Sequence, residues 1–217
     1  MNYIIFDLEF NQDFKEKSQE SLNETQDNTP KLTFEIIQIG AVKINENFEK
    51  ISTFSSLIKP KVHTKLHPYV HKMTGITEEQ LESKEEFPSI YKKLIEFIGN
   101  PLDSILCVWG IVDIKELLRN IKFYNLPTDV IPKKYIDVQY YASKYFCTKD
   151  SSRIGLKNAI ELLNLQIDGD FHDAFNDAYY TCEVFKNIYS PIMKPTIYND
   201  NNRRKVKDIP HKKYKVI

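Results

Sequence analysis

The sequence predicts a single α/β domain in which a mixed five-stranded sheet is flanked by helices. Strand-like stretches separated by a short turn come first, and apolar strands that alternate with helical patterns follow. Closely spaced strands form an antiparallel meander, whereas strand–helix alternation gives parallel strands with helices on the sheet faces. The chain has 217 residues, 41% of them hydrophobic, which suffices for one well-buried core.

The first strand is the apolar run Tyr3-Ile-Ile-Phe6, which continues into Asp7-Leu8-Glu9. The stretch 11–31 is polar and charged and predicts a flexible insertion loop. Residues 34–44 are rich in β-branched side chains and form a second strand. Asn45-Glu-Asn47 supplies a turn, and 48–59 form a third strand ended by Pro60. Residues 61–76 are irregular. Thr77-Glu-Glu-Gln80 is a capping box that starts a helix, and a second helix runs from Pro88 to about Ile98.

Ser104-Ile-Leu-Cys-Val-Trp109 is continuously apolar, as a parallel strand covered on both faces should be. A helical pattern spans 112–123, and a fifth strand at 134–138 leads into a helix ending near Phe146. Helices over 154–163 and 174–189 complete a domain at 1–190. The remainder, 191–217, is a basic tail: from Lys194 onward basic residues outnumber acids by eight to two, although the whole chain is formally neutral. Such a tail holds phosphate or stays a solvated end.

The cysteines Cys107, Cys147 and Cys182 form no C-x-x-C pair and read as buried, reduced thiols. No signal pattern opens the chain and no apolar run approaches the roughly 18 residues of a membrane helix. A cytoplasmic, soluble protein without membrane contact is expected. His63, His67 and His71 recur at ligand-like spacing, but Pro68 breaks the helix that would align them.

Asp7 and Glu9 are two apart on one strand, so both carboxylates point to the same face. Burying two like charges so close is costly unless a cation sits between them, and a hard divalent ion takes oxygen ligands. An edge strand with its acids in water would carry the same pattern, so the rest of the chain decides. Asp113 follows the apolar strand at the opening of a helix, where an acid alone is often only a favourable helix terminus. Asp177 lies in a helix that is apolar along Ala174, Ala178, Val184 and Phe185, Asp173 shares its face, and His172 stands at the helix start. Together, Asp7, Glu9, Asp113 and Asp177 border one end of one sheet. Two Mg²⁺ or Mn²⁺ ions about 3.5–4 Å apart would relieve their repulsion and clamp the oxygens of a phosphodiester.

These residues resemble the DnaQ-like 3′–5′ exonuclease superfamily, the DEDDh group that includes RNase T and DNA polymerase III epsilon-like domains. Its D-x-E motif matches Asp7-Leu8-Glu9, its second motif matches Trp109-Gly-Ile-Val-Asp113, and its H-x-x-x-x-D motif matches His172-Asp-Ala-Phe-Asn-Asp177. Glu35-Ile-Ile-Gln-Ile-Gly-Ala-Val42, Thr74-Gly-Ile-Thr77 and Ile136-Asp-Val-Gln139 are also similar to family sequence. The resemblance implies a ribonuclease H-like fold and a 3′–5′ exonuclease acting on single-stranded RNA or DNA ends. It implies Asp7, Glu9, Asp113 and Asp177 as metal ligands and His172 as general base. It also implies that Leu8 and Phe10 flank the 3′-terminal nucleotide and that Thr74, Gly75 and Ile76 line its sugar and base. Phe10-Asn11 stands where many members carry a hydroxyl residue, which suits base stacking. A proofreading polymerase subunit and a non-catalytic nucleic-acid binder are the rival readings; protein partners are not legible.

The tail gives a first prediction. If it touches phosphate, deleting the basic segment after Met193 weakens nucleic-acid binding at low salt and flattens the salt dependence, because fewer counterions are released. An unchanged slope of binding constant against salt would make it a solvated end.

Overall fold

The computed structural model describes residues 1–13, 32–148 and 152–198. Among these, a six-stranded mixed sheet runs in the order β3-β2-β1-β4-β5-β6. Central β1 (Asn2–Gln12) pairs antiparallel with β2 (Phe34–Asn45), which pairs antiparallel with β3 (Lys50–Leu57). On its other side β1 pairs parallel with β4 (Ser104–Val108), and β4 with β5 (Lys134–Asp137). This is the expected meander followed by parallel strands, with one strand more: β6 (Thr196–Ile197) adds antiparallel to β5.

Alternation along β1 divides the core between the two sheet faces. Tyr3 and Ile5 join Val42, Ile44, Ile105 and Cys107 beneath α5 (Val138–Tyr145), α6 (Leu156–Leu162) and α7 (Ala174–Ile188). Ile4, Phe6 and Leu8 join Leu106 and Val108 beneath α3 (Phe87–Ile98) and α4 (Val112–Phe123). A smaller cluster, Ile37, Leu66, Val70, Ile76 and Leu81, lies under α1 (Pro68–Thr74) and α2 (Glu78–Glu82). Ile37 reaches it because the β1–β2 register shifts between Glu9 and Phe10.

Several expectations change. The stretch 61–76 holds α1, because Pro68 occupies the first helical turn, where its missing N–H costs nothing. His67 caps that helix by accepting from the Tyr69 N–H; His63 Nε2 meets the Leu32 carbonyl at 2.8 Å, and His71 Nδ1 meets that of Ile76 at 2.7 Å. The three histidines thus make separate local contacts. Asn11 and Gln12 belong to β1 rather than to a loop, and 14–31 lie outside the described residues. Residues 191–198, assigned from sequence to the tail, return to the domain: Met193 is buried and Tyr198 N–H donates to the Lys133 carbonyl. The rest of the tail, 199–217, also lies outside the described residues. Cys107 and Cys182 are buried free thiols, whereas Cys147 is exposed after α5 with φ 50°. Among the described residues no helix is long and apolar enough to cross a membrane.

One contact fixes where α7 can sit. A Cβ on Gly40 of β2 would lie 2.2 Å from the backbone of Ala174 and Phe175, so the first turn of α7 rests directly on the strand. Gly40→Ala must therefore push the helix off the sheet. Overpacking of this kind costs about 1–3 kcal/mol or more, which denaturant unfolding would read as a lower midpoint at unchanged slope. A midpoint equal to wild type would show that the helix is not seated this closely.

Candidate active site

Parallel pairing between β1 and β4 stops at Ile5–Cys107. Beyond that point β1 continues alone on that side, while the chain leaves β4 through Gly110, at φ 90°, into α4. A crevice at the carboxyl ends of parallel strands results, where open α/β sheets place their ligands. Asp7 and Glu9 extend the Tyr3–Ile5 row into it. Asp113, in the first turn of α4, enters from the β4 side and is 8% exposed.

The other side of the crevice is the N-terminus of α7. Asp173 is its N-cap, with Oδ1 accepting from the Phe175 and Asn176 N–H groups at 3.0 Å each. Its Oδ2 accepts from Gln38 Nε2 at 2.7 Å, and Gln38 Oε1 accepts from the Ala174 N–H at 3.2 Å. His172 precedes the cap in a left-handed backbone conformation, φ 66°, and is exposed. Its N–H donates to Asp177 Oδ2 at 3.2 Å. Asp177 Oδ1 is buried without a hydrogen-bond partner.

The four carboxylates hold protons abnormally tightly. Asp7 is raised well above the usual carboxylate range, by desolvation first and then by Asp113, Asp177 and Glu9. Glu9 is raised to about 8 by desolvation and then by Asp177 and Asp113. Asp113 is raised to about 8, by burial foremost, against a lowering backbone hydrogen bond. Asp177 is raised to about 6 by burial, with the His172 N–H and ring pulling the other way. Asp7, Glu9 and Asp113 each feel the charge of Asp177, so the acids expected from the sequence share one site.

The donor set fits a divalent cation. Glu9, His172 and Asp177 each offer a ligand atom, all within 4.8 Å of one another. The carboxylate oxygens suit a hard ion such as Mg²⁺ or Mn²⁺, whereas an imidazole is a borderline donor, and the orphaned Asp177 Oδ1 is a buried acceptor that such an ion would satisfy.

The residues expected to line a nucleotide are placed differently. Leu8 points to the opposite face from Asp7 and Glu9 and is buried in the core beside Ile4 and Phe6. Phe10 is half-buried, tilted against Phe34 at 6.2 Å. Thr74 ends α1; its hydroxyl donates to the Val70 carbonyl and accepts from the Ile76 N–H. Gly75 takes the left-handed cap position at φ 69°, and Ile76 is buried in the small cluster with Ile37. The loop leading to α1 is tied down from below. Buried Glu35 accepts from the N–H groups of Lys61, Val62 and His63, and Asn11 donates to the His63 and Lys65 carbonyls.

Sequence reasoning missed Gln38 and Gly40 as parts of this site. A signal was present: both interrupt a run of apolar residues, two apart, as Asp7 and Glu9 do. In the structure they are cross-strand partners, Glu9 opposite Gln38 and Asp7 opposite Gly40.

A family model described as "Exonuclease", RNase_T, matches residues 4–185. A probable 3′-5′ exonuclease KapD of Bacillus subtilis is 30% identical over 154 residues, 71% of this chain and 73% of that protein. Human 3′-5′ exoribonuclease 1 is 25% identical over 159 residues, but these span only 45% of its length. A PolC-type DNA polymerase III of Thermotoga maritima is 33% identical over 178 residues, 12% of its length. In fold, the chain is similar to the nuclease domain of 3′hExo, a DEDDh family member solved with rAMP, with a TM-score of 0.72 at 21% identity, covering 91% of this chain and 96% of that one.

The raised carboxylates give a pH prediction with a definite sign. The folded chain binds these protons more tightly than the unfolded chain, whose carboxyls titrate near pH 4. Folded stability therefore falls as pH rises from about 4 to 8. In EDTA the protein should melt at a lower temperature at pH 8 than at pH 5.5, and saturating Mn²⁺ should remove much of that drop. Asp113→Asn should flatten it. A melting temperature in EDTA that rises over this window, with no response to Asp113→Asn, would contradict the clustering of ionisable acids.

Proposed function

The chain belongs to the RNase_T exonuclease family, and on that premise we propose that it removes nucleoside 5′-monophosphates from the 3′ end of single-stranded RNA or DNA. The observation that carries this reading is the convergence of Asp7, Glu9, Asp113 and Asp177 with His172 in one desolvated crevice. The carboxylates would hold Mg²⁺ or Mn²⁺, two ions in the full complement, which supply Lewis-acid polarisation of the phosphate when bound. His172, exposed at the mouth, takes the proton of the attacking water on an imidazole nitrogen. The water oxygen bonds to phosphorus, the bond to the 3′ oxygen breaks, and that oxygen leaves with the bonding pair and takes a proton from solvent to become the new 3′-hydroxyl. Phe10 and the Thr74–Gly75–Ile76 bend remain the candidates to orient the terminal nucleotide. With Leu8 and Ile76 buried, any contact they make is through backbone or through the neighbours they support.

The relatives named exoribonucleases favour RNA as the first substrate to test. The match to a PolC-type polymerase favours a second reading, proofreading of mismatched DNA 3′ ends. Digestion of 5′-labelled single-stranded RNA, single-stranded DNA and 3′-mismatched duplex separates them. Stepwise shortening from the 3′ end that stops in EDTA is expected; internal cuts as first products, or full activity in EDTA, would contradict the proposal.

The roles of His172 and Asp177 divide cleanly. Asp177→Asn should abolish turnover and weaken Mn²⁺ binding at every pH. His172→Ala should lower single-turnover rate by roughly 10²–10⁴-fold, the usual worth of a general base, with Mn²⁺ affinity largely kept. A large loss of Mn²⁺ affinity in His172→Ala would assign the imidazole to the metal instead.

A further inference from the structure

We infer that Gln38 is a positioning residue: it clamps the N-terminus of α7 so that His172 and Asp177 face Glu9. The inference rests on the proposed function for its kinetic arm alone. Gln38 is 5% exposed, and both ends of its amide are used. Nε2 donates to Asp173 Oδ2 at 2.7 Å, and Oε1 accepts from the Ala174 N–H at 3.2 Å. The amide can face only this way, since a carboxylate only accepts and a backbone N–H only donates.

Asp173 is where the geometry of α7 is set. Its Oδ1 caps the helix, its carbonyl accepts from the Asp177 N–H at 2.9 Å, and His172 is its immediate neighbour. Whatever displaces Asp173 displaces both functional side chains. His172 also carries the left-handed conformation, φ 66°, that a non-glycine residue adopts only when its surroundings impose it. Gln38 stands directly across the strand pair from Glu9, so one rung of the sheet joins the acid on β1 to the clamp that aims α7. Gly40, two residues on along the same face, admits the helix backbone, and Gln38 fixes its direction.

The test uses three variants. Gln38→Met keeps the volume and removes both hydrogen bonds. Gln38→Glu sets a carboxylate against Asp173. Gln38→Glu with Asp173→Asn restores the pair with donor and acceptor exchanged, at the wild-type net charge, and asparagine still caps the helix. The measurements are Mn²⁺ affinity by calorimetry, kcat and KM on a 5′-labelled single strand, and melting temperature. Misplacement of a reacting group by about 1 Å costs up to about 10²-fold in rate. Gln38→Met and Gln38→Glu should therefore lose about 10- to 100-fold in kcat with KM little changed, and Gln38→Met should also bind Mn²⁺ more weakly. The double variant should recover most of the kcat lost in Gln38→Glu and bind Mn²⁺ close to wild type. A purely structural glutamine predicts instead a lower melting temperature with kcat and Mn²⁺ affinity within about twofold of wild type, which would overturn the inference. A folded double variant that recovers nothing would overturn it too. If Gln38→Met does not fold, Gln38→Glu against the double variant decides. If the wild type degrades no nucleic acid, the exonuclease reading falls, and the Mn²⁺ affinities alone judge the clamp.

Discussion

Asp7, Glu9, Asp113 and Asp177 repel one another in a water-poor crevice, and the chain holds them together all the same. Desolvation is the first cause of every one of their shifts, and the charge of Asp177 adds to those of Asp7, Glu9 and Asp113. Like charges this close are tolerated in one of two ways: by keeping protons, or by sharing a cation. Burial pushes all four toward the first in the metal-free protein, Asp177 least, since it is raised only to about 6. The second turns a liability into a binding site, because ion binding releases the repulsion and the protons together. The fold therefore spends stability on this crevice that its cores must offset.

The scaffold delivers the acids from separate places in the chain by simple geometry. Alternation along β1 puts apolar Tyr3 and Ile5 in a row with Asp7 and Glu9, so the strand that anchors one core also starts the site. β4 ends early, and Gly110 turns the chain into α4 where Asp113 is needed. α7 comes from the far end of the chain and is seated on β2, which has no side chain at Gly40 and an amide clamp at Gln38. Each acid thus sits on a regular element, a strand or a first helical turn, and precise placement needs such rigid support.

Much of this was legible in the sequence because the signals were local. The helix at 112–123 has the bounds its periodicity gives, and the capping box at Thr77 forms as its residues require. The acids and His172 declared themselves through spacing and through their contrast with apolar neighbours. What stayed hidden depends on partners distant in the chain. Pro68 reads as a breaker or as a helix opener, and only the cap at His67 decides between them. Thr196–Ile197 is too short and exposed to announce itself as a strand, and it forms because the β5 edge is there to pair with. Leu8 lies between two metal-ligand candidates in sequence, but the same alternation that aims them at the crevice turns it into the opposite core. Gln38 looked like one polar residue in a strand until its partner, Asp173, was placed beside it.

The central claim is that the raised protons and the cation compete for one cluster of carboxylates. Calorimetric titration of Mn²⁺ into the EDTA-stripped protein at pH 7, repeated in buffers of different ionisation enthalpy, counts the protons that leave. With Glu9 and Asp113 raised to about 8, ion binding should release at least one proton per protein, and Asp113→Asn should release fewer. Tight Mn²⁺ binding with no net proton release would contradict the account, because it would mean that these carboxylates are already ionised and apart.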